Sequence, residues 1–275
     1  MKKLLLLLLI VAGMAAGSVH ANGSPYSPGL AYAWPGVAAH GVHYVTFGPS
    51  RWTAVAAVRA RDGRVLRTGA VKGFYAVPLV TYNGVAGGLS GDGRSLVLGS
   101  YGPMPGEPGK TRFAVLGTRT LALRRQIVLD GSWSFDAVSP DASTLFLTEH
   151  LRGGDEPLYR IRTLDARTGR LGGAIVDRLE NERDMTGAPV ARATSREGRW
   201  AYTLYARRGS EPFVHALDTV RRQAFCVDLP LELAYDRQWA LRLRLAKGAT
   251  LEVLNQRGAA LTAVSLERLE VVPVR

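Results

Sequence analysis

The sequence predicts an all-β protein, a β-propeller of about five four-stranded antiparallel blades. Three observations predict it: a hairpin motif that recurs along the chain, a second short turn upstream of each copy, and almost no stretch with helical periodicity.

The recurring hairpin is an apolar strand, a tight turn and a second strand. It reads VRARDGRVL from Val58, VLGTRTLAL from Val115 and LDARTGRLG from Leu164, with weaker copies ALDTVRRQAF from Ala216 and VLNQRGAAL from Val253. Asp, Asn, Thr and Gly supply the φ values and local hydrogen bonds that tight hairpins need. The upstream element is a turn followed by an alternating strand. It appears at Ser90-Gly91-Asp92-Gly93-Arg94, Ser139-Pro140-Asp141-Ala142, Ser195-Arg196-Glu197-Gly198-Arg199 and Tyr235-Asp236-Arg237, with a weaker form at His40-Gly41. Each turn has a short apolar strand before it, such as Phe135-Asp136-Ala137-Val138. Strands A to D therefore repeat in units of roughly 30–69, 85–130, 134–177, 189–229 and 230–266, with a last strand at 268–274. A β-sandwich would not need the same order five times over. The segment 30–34 is the expected inner strand of the first unit, with 269–274 as the alternative.

The stretch AVSPDASTLFLTEH from Ala137, followed by RIRTLDARTGRLGGAIV from Arg160, resembles a blade of the YVTN-type and related WD-like propellers. GLSGDGRSLVLGS from Gly88 and ATSREGRWAYTLY from Ala193 resemble the same half-blade. With PFVHALDT, the chain is also similar to a group of secreted bacterial propeller-like proteins. The resemblance spans about residues 40–265, with irregular spacing and a degenerate fifth unit. It implies a fold and brings no fixed catalytic set.

The chain has 275 residues, 47% of them hydrophobic, enough for a sizeable core. Residues 1–21 read as a signal peptide: Lys2 and Lys3, an apolar run from Leu4 to Ala16, then Val19-His20-Ala21 before the cut. A retained anchor is the competing reading, although the run is short for a bilayer. Residues 22–275 are then one extracytoplasmic propeller domain with no integral membrane span. The formal charge is +12; cleavage after Ala21 removes Lys2 and Lys3 and no acid, leaving +10. Such a surface favours anionic partners, yet only five of the 35 basic residues are Lys, the signature of an Arg-rich coding bias. No basic run interleaved with aromatics points to nucleic acid. Cys226 is the one cysteine, so no intrachain disulfide forms, and its apolar strand context reads as a buried inert thiol.

Several motifs nearly match and fail. Gly106 to Thr111 suggests a phosphate loop, but Met104 stands where its first Gly belongs and Pro103, Pro105 and Pro108 remove backbone donors. Gly88-Leu89-Ser90-Gly91-Asp92 ends in Asp where a nucleophile elbow needs Gly. His40 and His43 read as an exposed turn pair and His215 as a hydrogen-bonded structural histidine. Trp200 and Trp239 both read as the start of strand B, packing between blades.

In an A-B-C-D meander the A–B and C–D turns share one face, and the B–C and D–A connections the other. The second set is long here: 72–86, 101–111, 151–157, 178–189 and 207–212. Long loops on a rigid scaffold collect binding groups. The candidate ligand-binding residues on this face are Tyr75, Tyr101, Arg152, Asp155, Glu156, Arg207, Arg208 and Glu211. The expected function is non-enzymatic binding of a protein or an anionic cell-surface polymer, without a cofactor. The alternatives are a propeller enzyme of lactonase or lyase type, with Glu180, Glu182 and Asp184 as candidate ligands of a divalent cation, and a structural cell-surface module.

Overall fold

In a computed structural model, residues 27–34, 36–48, 51–153 and 157–274 are described. The expected signal peptide and the candidates Asp155 and Glu156 lie outside them. Strand β1 (Leu30–Ala31) pairs with β6 (Val77–Pro78). Blade 1 is β2 (Val37–Ala39), β3 (Val42–Phe47), β4 (Trp52–Arg59) and β5 (Val65–Lys72). Blade 2 is β7 (Ser95–Gly99), β8 (Lys110–Gly117) and β9 (Leu123–Asp130), with a single bridge, Leu89 to Leu96, in place of an inner strand. Blade 3 is β10 (Trp133–Val138), β11 (Thr144–Leu151), β12 (Leu158–Asp165) and β13 (Leu171–Ala174); β14 (Met185–Thr186) also pairs with β12. Blade 4 is β15 (Ala188–Thr194), β16 (Trp200–Ala206), β17 (Phe213–Asp218) and β18 (Gln223–Asp228). A short helix α1 (Tyr235–Gln238) leads into blade 5: β19 (Arg242–Ala246), β20 (Thr250–Leu254), β21 (Ala260–Ser265) and β22 (Glu270–Val272). All pairings within the blades are antiparallel, so the fold is the expected all-β propeller of consecutive blades.

Two assignments are corrected. The inner strand of blade 1 is β2, not 30–34 or 269–274; the first of those pairs with β6 and the second contains the outer strand of blade 5. Blade 5 is phased one strand later than its sequence suggests. Tyr235-Asp236-Arg237 is helical, the A–B turn lies at 247–249, and Asn255 to Gly258 joins β20 to β21. Trp239 therefore precedes strand A and does not match Trp200.

Consecutive blades share cores. Val55, Ala57 and Val71 meet Leu96, Leu98 and Leu116 between blades 1 and 2. Val97, Phe113 and Ile127 meet Phe135, Leu145 and Leu147 between blades 2 and 3. Phe146 and Ile161 meet Ala201, Leu217 and Ala224 between blades 3 and 4, and Val190, Leu204 and Val214 meet Leu241, Leu251 and Val253 between blades 4 and 5. Among the described residues no core cluster joins blade 5 to blade 1. The burial patterns follow. Every residue of β17 is buried, because blade 4 is covered on both faces. In blade 5, Leu251 and Val253 are buried while Arg242 and Arg244 are exposed, and Arg244 pairs with Glu252 at 2.6 Å. One covered face and one charged face suit a terminal repeat.

The blades are braced across their axis. A hairpin closed by the Leu79–Ala86 bridge reaches blade 4, where Tyr82 N donates to Pro189 O at 2.9 Å and Asn83 Nδ2 donates to Val190 O at 2.6 Å. The Tyr82 and Trp239 rings lie 5.4 Å apart. At the other end of the axis the A–B turn of blade 2 meets that of blade 4 so closely that a Cβ on Gly91 would stand 2.1 Å from Glu197 O.

Candidate functional site

The longest connections lie on the B–C and D–A side, which also carries the short B–C links from Phe47 to Trp52 and from Leu254 to Ala260. The long-loop side holds a groove of about 310 Å³ between blades 3 and 4. Its walls are β12, β14, β17, β18 and the connection from blade 3 to blade 4.

Asp177 shapes that connection. It is 6% exposed; its Oδ1 accepts from Leu179 N at 2.5 Å and Glu180 N at 3.1 Å, and its Oδ2 accepts from Cys226 N at 2.5 Å. Arg178 N donates to Ala224 O at 2.9 Å, so the segment lies along the edge of β18. The following residues carry Glu180, Glu182, Arg183 and Asp184 into the groove lining, where Arg207 and Asp228 join them. Arg207 pairs with Asp228, donates from Nε to Glu211 O at 2.7 Å and covers the Phe213 ring at 4.9 Å. Asp184 pairs with Arg160 at 2.9 Å. Burial, then the carboxylates of Asp228, Asp177 and Glu182, push the Glu180 carboxyl above its ordinary value. Crowded acids of this kind favour a cationic occupant.

The floor of the groove contains Cys226, Met185 and His215. His215 and Cys226 are direct cross-strand partners on β17 and β18, and Cys226 Sγ lies 3.9 Å from Met185 Sδ. Burial, followed by the Asp177 carboxylate, pushes the thiol up. Burial lowers the His215 imidazole, and its Nδ1 has no hydrogen-bond partner.

The other candidates do not gather here. Tyr75 is 1% exposed in the core between blades 1 and 2, with its Oη accepting from Gln126 Nε2 at 2.6 Å, a position closed to a macromolecular partner. Tyr101 is exposed and stacks on Phe74 at 6.3 Å. Arg152 is exposed beside Gly106. Arg208 lies over the Tyr235 ring at 4.7 Å, and Glu211 is exposed at the rim near Arg207. Sequence reasoning thus found Arg207, Glu180, Glu182 and Asp184 and missed Asp177, Asp228, Met185, His215 and Cys226 as groove residues. The one available signal was period-2 alternation, which puts residues 224, 226 and 228 on one face of β18.

A second cavity of about 270 Å³ runs along the axis, lined by Val37 to His40, Gly87 to Gly91, Asp136 to Val138 and Thr194 to Arg196. At its wall Asp136 and Arg192 form an ion pair with side chains 4% and 5% exposed. Among the described residues no group of three His, Cys, Asp or Glu side chains is placed to hold a metal ion, and no described helix is long and apolar enough to cross a membrane.

No family model and no curated protein sequence matches the chain. Among solved structures, the hydrazine synthase of Kuenenia stuttgartiensis aligns at 14% identity over 82% of this chain and 74% of its own, with a TM-score of 0.43. TolB from Acinetobacter baumannii aligns at 12% over 82% and 49%, with a TM-score of 0.41, so this chain spans about half of that one. The Dos1 propeller aligns at 10% over 82% and 54%, with a TM-score of 0.43. Likenesses this distant carry no argument about activity; the architecture rests on the sheets themselves, which make this chain an all-β propeller.

Proposed function

We infer that the chain is a non-catalytic, extracytoplasmic binding propeller whose long-loop face takes a protein partner, with a basic segment of that partner entering the groove between blades 3 and 4. One observation carries this reading: Asp177, Glu180, Glu182, Asp184 and Asp228 converge on one groove, where Arg183 and Arg207 join the lining and Arg160 pairs with Asp184. Electrostatic complementarity of this kind steers association and selects partners. The test is a fluorescence titration with an oligolysine peptide at low salt. Glu180→Lys combined with Glu182→Lys is expected to weaken binding at least tenfold; unchanged affinity would refute the reading.

A second reading concerns the opposite face. Its turn carboxylates are engaged by backbone amides: Asp92 accepts from Arg94 N at 2.9 Å, Asp165 from Arg167 N at 2.9 Å and Asp218 from Arg221 N at 3.0 Å. The arginines of those turns are left to set the outward charge, which suits an anionic cell-surface polymer. Polyglutamate binding that falls with Arg119→Glu and Arg167→Glu, and not with the groove variant, would support this assignment of faces.

A further inference from the structure

We propose that the axial cavity binds one neutral, polyhydroxylated ligand the size of a single sugar ring, with the Asp136–Arg192 pair as its polar anchor. The site is separate from the groove between blades 3 and 4 and does not depend on partner docking there.

Two inner strands build the anchor. β10 shifts register between Phe135 and Ala137, so Asp136 is the extra residue of a bulge. Residues two apart in a regular strand share a face. Here Phe135 packs into the core between blades 2 and 3 and Ala137 into the core between blades 3 and 4. The bulge re-aims the side chain between them, as bulges beside functional sites do. β15 has its own shift between Pro189 and Ala191, just before Arg192. Arg192 Nη2 donates to Asp136 Oδ1, and the two side chains are 5% and 4% exposed. The fork of two parallel bonds that such pairs favour is only half made. Arg192 Nε and Asp136 Oδ2 are buried without partners. A buried ion pair adds little stability by itself, and unpaired buried atoms subtract from it. A ligand that completes the pair accounts for both.

The rest of the lining narrows the ligand. Asp136 and Arg192 cancel each other's charge, and Arg196 lines the cavity from an exposed position where solvent screens it. A full charge on the ligand therefore gains little. Of the two unpaired atoms, one needs a donor and the other an acceptor, and a hydroxyl is both. Ser90 N, Ser139 N and Ser195 N donate outward to Ser95 O, Thr144 O and Trp200 O. Ladder alternation then turns the peptide groups of Leu89, Val138 and Thr194 toward the axis, and all three residues line the cavity. They supply further donors and acceptors, while Val80 and Phe135 supply an apolar wall. The volume of about 270 Å³ is the liquid share of roughly nine waters, room for one ring and not for a chain of them. Ala38 of blade 1 and Thr194 of blade 4 are exposed in the lining and mark its open side.

The test is calorimetric titration of the whole chain with glucose, galactose and mannose, and with glucuronate as the charged control. One neutral hexose is expected to bind at one per chain, more tightly than glucuronate. Asp136→Asn keeps the size of the side chain and should weaken binding at least tenfold. Because that variant strands Arg192 and can unfold the chain, Ala38→Trp is the second. It fills the cavity from an exposed position and should abolish binding with an unchanged circular dichroism spectrum. Failure of all three neutral hexoses to bind, tighter binding of glucuronate, or parental hexose affinity in folded Ala38→Trp would overturn the proposal.

Discussion

Ser139 and Asp141 show at one turn why the blade motif has its composition. Ser139 Oγ accepts from Thr144 N at 3.0 Å and donates to Asp141 Oδ1 at 2.7 Å, while the same oxygen of Asp141 accepts from Ser143 N at 3.0 Å. Ser90 with Asp92, and Ser195, repeat the arrangement, accepting from Ser95 N at 3.0 Å and Trp200 N at 2.9 Å. Each side chain satisfies an amide that the tight turn leaves unpaired. Ser139→Ala, at a position 5% exposed, is expected to cost about 1–2 kcal/mol in urea unfolding, because the Thr144 amide loses its partner.

His150 makes a second residue-level expectation. Burial lowers its pKa to about 4, and its Nε2 lies 2.8 Å from Ser134 Oγ. An unfolded imidazole titrates near 6.5. Between those values the unfolded chain binds the extra proton, so stability present above pH 6.5 is lost as pH falls toward 4, by roughly 3 kcal/mol. Urea midpoints at pH 7 and pH 4.5 should show the drop. His150→Gln should flatten that part of the pH profile; an unaltered slope would assign it to other groups.

At the scale of elements, α1 is where a one-turn helix replaces the turn that the sequence suggests. Gln238, 1% exposed, is the reason it sits as it does. Its Oε1 accepts from Arg207 N at 2.9 Å, and its Nε2 donates to Ser210 O at 3.0 Å and Leu233 O at 3.1 Å. One amide thus ties the entrance of blade 5 to the loop after β16, which carries Arg207 into the groove. Gln238→Ala leaves three backbone groups unpaired and is expected to destabilise the fold by about 2–4 kcal/mol. It should also strengthen oligolysine binding, because displacing Arg207 removes a positive charge from the acidic groove and frees Asp228. Chemical denaturation and the peptide titration check the two effects separately.

For the whole molecule, cohesion comes from the chain of shared cores and the two axial braces, since no core among the described residues links blades 5 and 1. Gly91 tests the brace at the tight-turn end. Its added Cβ would meet backbone, which cannot rotate away as a side chain can. Gly91→Ala is therefore expected to cost more than about 2 kcal/mol and to lower the melting temperature in one transition. Two transitions in the variant would show that the blades on either side of the brace unfold independently.

Much of the fold was legible because its determinants are local. The Ser and Asp turn residues and the alternating strands act within a few positions, so the hairpins of blades 1 to 4 could be read from order alone, whereas the inner strand of blade 1 could not, because β1 pairs with β6 instead. Blade 5 was misphased because Tyr235-Asp236-Arg237 carries turn-like residues, while the conformation there is decided by Gln238 contacts 28 and 31 residues away in sequence. The groove was only half legible for the same reason. Glu180, Glu182, Asp184 and Arg207 were visible as loop charges, and Cys226 and His215 looked like ordinary strand interior. Only the stacking of blade 3 on blade 4, with β14 laid along β12, brings Met185 to Cys226. Local chemistry determines what each strand and turn is; which side chains share a cavity depends on packing between blades, and no local pattern encodes that distance.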